Sequence, residues 1–68
     1  MRFSLKPENT GYALVVDGPT LGHIRSDGDV WRWTLTAPAS AEGIARDADD
    51  ACEQLKARYF LEMQRLFR

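Results

Sequence analysis

The 68-residue chain holds one cysteine and one histidine. A single cysteine excludes an intramolecular disulfide, so this small chain must fold without that staple. A metal site would need His, Cys or carboxylate partners at ligand spacing, and His23 and Cys52 have none in the sequence. No cofactor is expected. No stretch approaches the roughly 18 consecutive apolar residues of a membrane span. Residues 1 to 20 show no long apolar run after a basic start, so no signal peptide is predicted. A lone cysteine suits a reducing compartment, and a cytoplasmic location is expected. Charge of one sign is not in excess either. Nine Lys and Arg against ten Asp and Glu leave a formal net charge of −1. Global charge therefore names no partner, and any electrostatic argument depends on where the charges sit.

What is present is apolar patterning. A hydrophobic content of 44% with two Trp predicts a packed core, in one domain spanning residues 1–68. At this size only about 60% of the unfolded surface can be buried, so stability is marginal. The clearest signal is Asp27-Gly28-Asp29-Val30-Trp31-Arg32-Trp33-Thr34-Leu35-Thr36. A tight-turn dipeptide is followed by strict alternation, which predicts a strand with Trp31, Trp33 and Leu35 on one face. Upstream, Arg2 to Lys6 alternates with Phe3 and Leu5 together. Tyr12 to Val16 is rich in strand formers, and either Tyr12 or the pair Ala13 and Val15 faces away from the core. Leu21 to Ser26 is a short third strand with Ile24 inward. Turn clusters at residues 7–11 and 17–20 link them, and such short links predict an antiparallel meander.

Residues 37–46 read as a small-residue loop in which Ile44 tucks beneath the sheet edge. Asp47 then has the features of a helix N-cap, accepting from the backbone N–H of Asp50, with Asp49 and Asp50 at the positive end of the helix dipole. Ala48, Ala51, Cys52, Leu55, Tyr59, Met63 and Leu66 recur at helical spacing and form the predicted core stripe. Arg65 and Arg68 occupy the last turn. The expected fold is α+β, a four-stranded antiparallel β-meander with one long C-terminal helix packed on one face. The sheet covers about residues 2–36 and the helix about 47–67, with three main strands as the smaller alternative.

Two features exceed a minimal fold. If the Trp-bearing face meets the helix, the other face carries Arg2, Ser4, Lys6, His23, Arg25, Arg32, Thr34 and Thr36. No acid is expected inside a strand, so this face reads as locally basic. Any wet antiparallel sheet needs polar residues on its open face. A further role is contact with phosphates through Arg2, Lys6, Arg25 and Arg32. The second feature is the helix tail. Some 20 residues rise about 30 Å, whereas a six- or seven-residue strand reaches only about 20 Å. The helix should therefore overhang the sheet, yet its tail is apolar most of the way round. Tyr59, Phe60, Met63 and Phe67 are the expected contact surface for a second copy or another protein.

Other constellations have plain structural readings. His23 is a surface histidine, Cys52 a small buried hydrophobe, and Asp47, Asp49 and Asp50 a cap without the further ligands of a calcium loop. Ser4, Ser26 and Ser40 have no recognisable catalytic base, so no catalytic or metal residue is nominated.

Three short elements carry a resemblance: Gly22-His23-Ile24, Trp31-Arg32-Trp33, and Gly43-Ile44-Ala45 leading to Asp47-Ala48-Asp49-Asp50-Ala51. Over about residues 21 to 55 the chain resembles small uncharacterised bacterial proteins of proteobacterial type, which implies a fold and a bacterial origin. In layout it is also similar to the arm-type DNA-binding domains of tyrosine recombinases, whose sheet reads DNA with its open face. It departs from them by an extra N-terminal strand and a modest basic count. A third similarity is to small antitoxin domains, through the acidic helix entry. The expected function is a non-enzymatic protein-interaction module, a homodimer or a subunit of a complex. The alternative is nucleic-acid binding by the basic sheet face. Neither a membrane nor a small-molecule substrate is indicated.

Overall fold

The computed structural model describes residues 2–67, and Arg68, expected in the last helical turn, lies outside them. In chain order come β1 (Phe3–Pro7), β2 (Gly11–Val16), β3 (Thr20–Asp27), β4 (Val30–Leu35), β5 (Ala41–Ala45) and α1 (Ala48–Leu66). The strands form one antiparallel sheet in the order β1-β2-β3-β4-β5. The helix lies across β3, β4 and β5. The α+β class and the C-terminal helix are as expected, but there are five strands, not four.

The fifth strand replaces part of the expected loop. Ala41, Gly43 and Ala45 pair with Leu35, Trp33 and Trp31 and share the helix side of the sheet. No large residue alternates here because Trp33 has taken the volume. A Cβ at Gly43 would stand 2.5 Å from the Trp33 indole. The indole N–H in turn donates to Gln54 Oε1 at 2.9 Å, tying β4 to α1. Gly43→Ala should therefore overpack this contact and cost about 1–3 kcal/mol. The check is a lowered urea midpoint at unchanged m-value. Ile44 does not tuck under the edge. It pairs with Arg32 and is exposed on the open face.

Register also settles the second strand. Leu14 faces Leu5 and Gly22, Val16 faces Phe3, and Tyr12 faces Ile24. Tyr12, Leu14 and Val16 thus take the helix side, where Leu14 and Val16 join the core with Ile24, Trp33, Leu35, Ala51, Leu55 and Tyr59. Ala13 and Val15 are buried as well but belong to the opposite face, beside Lys6, His23 and Ser4.

The helix starts as its sequence requires. Asp47 caps it, accepting from the Asp50 N–H at 2.7 Å. The Asp50 carboxylate reaches back to the Arg46 N–H at 3.1 Å, one residue earlier than a standard capping box. That bond, followed by one from the Gln54 amide, holds the Asp50 carboxyl below its ordinary pKa. At the far end the predicted stripe fails at one position. Leu66 is exposed, and Glu62 is buried in the stripe instead. Glu62 accepts from Arg58 at 3.0 Å and Arg65 at 3.3 Å, so its burial leaves no charge unpaired. Leu66 is exposed because the 19-residue helix, roughly 28 Å long at 1.5 Å per residue, runs past the sheet.

Candidate interaction surface

The helix does not cover the sheet evenly. It begins beside β5 and crosses diagonally, touching β1 only through its later side chains. Phe3 of β1 meets Tyr59 and Phe60 edge to face, with ring centroids 5.9 Å and 5.5 Å apart. The Lys56 ammonium lies over the Phe3 ring at 5.6 Å. At the opposite end of β1 the sheet is uncovered. A groove of about 570 Å³ opens there, floored by Leu5, Tyr12 and Ile24 and walled by Cys52, Glu53 and Lys56 of the helix. Leu5 and Tyr12 are exposed as a result. Cys52 is a free thiol, partly buried and packed against the core.

The four helix residues expected to meet a partner separate into two groups. Tyr59 is 4% exposed and belongs to the core of its own chain. Met63 is partly buried against that core. Phe60 is 45% exposed and Phe67 79%. Leu61 and Leu66 add to the exposed apolar surface of this end. Sequence reasoning missed Leu5 and Tyr12 as exposed residues, because alternation places Leu5 inward, leaves Tyr12 open, and does not say how far the helix reaches. The helix-side strip thus runs from Tyr12 and Leu5 through Phe3 and Phe60 toward Phe67.

The open face is less basic than its strands suggest. Lys6, Ala13, His23, Thr34 and Glu42 form one cross-strand row, and Arg25, Arg32 and Ile44 form another. Glu42 is an acid inside a strand, and Asp27 ends β3, so the expectation of acid-free strands does not hold. Arg32 donates to Asp27, and that bond, with Coulombic help from Asp27 and Glu42, raises the guanidinium pKa above its ordinary value. His23 Nδ1 lies 2.9 Å from Glu8 Oε1. Among the described residues, the side chains of Arg2, Lys6 and Arg25 form no salt bridge, although the Arg2 backbone N–H donates to Asp17 Oδ1 at 2.8 Å. The Asp27 contact was readable from the chain, since Asp27 stands two residues from Arg25 on the same strand face. The nearby charge of Glu42 was not, because it needed β5.

Among the described residues no three His, Cys, Asp or Glu side chains come together in a cluster that could hold a metal ion. No helix is long and apolar enough to cross a membrane. Comparison of the chain with family models, with curated proteins and with solved structures returned no match.

Proposed function

We propose that the chain is a small non-enzymatic interaction module that self-associates or joins a complex through its apolar helix end. The observation that carries this reading is the exposure of Phe60 and Phe67 at the helix end and of Leu5 and Tyr12 on the uncovered strands. Fully burying an exposed side chain of this size stabilises by about 1.5–3 kcal/mol, and residues exposed by about half contribute roughly half of that each. A domain of marginal stability gains most from that cover. The nucleic-acid reading has less support. Arg32 is tied to Asp27, and Glu42 shares the face, so phosphate contact would fall to Arg2, Lys6 and Arg25.

Light scattering across a range of protein concentrations tests the proposal. The parent chain is expected to show a mass above that of the monomer. Phe60→Asp is expected to give a folded monomer, because a carboxylate at a half-exposed site is tolerated in water but not in a dry interface. An unchanged mass for Phe60→Asp would overturn the assignment of the helix end.

A further inference from the structure

The backbone of β1 says how a second copy could be seated. In an antiparallel pair, successive residues alternate between exchanging hydrogen bonds with the partner strand and pointing those groups away. Glu8 N–H donates to Gly11 C=O at 2.8 Å, and Asp17 N–H to Arg2 C=O at 3.1 Å. Those two pairs fix the alternation along β1. Arg2, Ser4, Lys6 and Glu8 turn their backbone groups toward β2. Phe3, Leu5 and Pro7 turn theirs outward, where no strand among the described residues meets them. Pro7 has no N–H, so the outward donors of this edge are those of Phe3 and Leu5.

The same strand separates the two features described above. The helix end with Phe60 sits at its Phe3 end, and the groove lies toward its Pro7 end. A twofold axis through Leu5 exchanges those ends. We propose that β1 pairs with β1 of a second copy about such an axis, joining the two sheets edge to edge. Each helix end then lies over the other copy's groove, with Phe60 against the partner's Leu5 and Tyr12. This inference rests on the self-association reading and names its interface.

Three observations single out a second copy as the occupant. The uncovered floor is β1 and β2, about 10 Å across at normal strand spacing, which is about one helix diameter. The register through Leu5 uses both outward donors of each chain. Leu5 N–H donates to the partner's Leu5 C=O, and Phe3 N–H to the partner's Pro7 C=O, so proline is needed only as an acceptor. The charges select the same register. Lys6 stands opposite the partner's Ser4, whereas the register that pairs Phe3 with the partner's Leu5 would set Lys6 opposite the partner's Arg2, and like charges directly opposite destabilise a ladder. The other free edge, β5, turns its outward groups from Glu42 and Ile44, whose side chains lie on the open face away from the groove. Pairing there would leave Leu5, Tyr12 and Phe60 uncovered.

Cysteine cross-linking in a Cys52→Ser background, run beside the mass measurement, tests the interface. Leu5→Cys is expected to convert to a covalent dimer under mild oxidation. Ser4→Cys alone should do so about tenfold more slowly, since the offset carries the two Ser4 positions past disulfide range. An equimolar mixture of Ser4→Cys and Lys6→Cys provides a second route, because those positions oppose each other as a close pair about 4.5 Å apart. Both residues are exposed, so neither substitution should disturb folding. A dimer mass with cross-linking at Leu5 or between Ser4 and Lys6 supports the interface. A dimer mass with neither, or with faster cross-linking of Ser4→Cys alone, overturns this interface and leaves self-association standing. A monomer mass at every concentration overturns both.

Discussion

Trp33→Ala is expected to lose about half or more of the folding stability at 25 °C. At 0.05–0.15 kcal/mol per residue a chain of this length holds roughly 3–10 kcal/mol of stability. Truncating a buried Trp removes about 3–5 kcal/mol of that. Trp33 stands at the upper end because nothing can move into its space. On β5 its neighbours are Ala41, Gly43 and Ala45, none with a side chain beyond Cβ. On α1 it also holds Gln54 through its N–H. Its loss therefore detaches the edge strand and loosens the helix together. Trp33→Phe keeps a ring over Gly43 and gives up the hydrogen bond, so it should remain folded with a lower urea midpoint. Far-ultraviolet circular dichroism during a urea titration separates the two variants. A near-parental midpoint for Trp33→Ala would show that β5 is not held in this way.

The contrast between β4 and β5 explains how much of the fold was legible in the chain. Alternation is readable when inward positions carry large apolar residues, as at Trp31, Trp33 and Leu35. It is unreadable when the facing strand already fills the layer. Ala41-Glu42-Gly43-Ile44-Ala45 looks like a loop because its inward side chains are absent, and they are absent because Trp33 is large. Tyr12 to Val16 shows a different limit. Four of its five residues are apolar whichever way the strand is turned, so the frame is set only by pairing with Phe3 and Leu5 on one side and Ile24 on the other. The helix was legible because its cap and stripe are local signals. Its exchange of Leu66 for Glu62 was not, since it depends on where the sheet stops beneath it. The flanking Arg58 and Arg65, one turn before and after Glu62, were the available hint of a neutralised buried acid.

The same dependence on distant pairing governs the candidate surfaces. Strand alternation correctly grouped Lys6, His23, Arg25 and Arg32 on one face, but their charge is shared with acids from elsewhere in the chain. Glu8 comes from a turn and Glu42 from the unforeseen strand. Conversely, Leu5 reads as a core position and Tyr12 reads either way, yet both are surface because the helix leaves β1 and β2 largely uncovered. The second shift follows from one geometric fact, the path of α1 from β5 toward Phe3. That path neither depends on the open face nor contributes to it. Interaction at the helix end and at the open face are therefore separable by substitution.

Leu55→Ala tests the hinge of this arrangement. Leu55 is fully buried at mid-helix, and its δ-methyls lie over Gly22 in β3, between Leu14 and Leu35. A Cβ at Gly22 would come within 3.1 Å and 3.2 Å of those methyls, so the leucine occupies the place of the missing side chain. Truncation should cost about 2–5 kcal/mol, toward the upper end where a site cannot collapse. Adding the methyl back from below should not help. The Cβ of a Gly22→Ala variant would also stand 2.6 Å from the Thr34 carbonyl oxygen, which belongs to the sheet backbone and cannot swing aside. Leu55→Met conserves volume and should cost less than about 1.5 kcal/mol. Leu55 also sets the position of Cys52, Lys56 and Phe60 on the adjacent helix flank. Denaturant curves for the three variants should therefore fall in the order Leu55→Met, Leu55→Ala, and Leu55→Ala with Gly22→Ala. Solution mass should fall toward the monomer in that order too, because undocking the helix withdraws Phe60 from the strip. A mass that stays high while the helix undocks would place the interface on the strands alone.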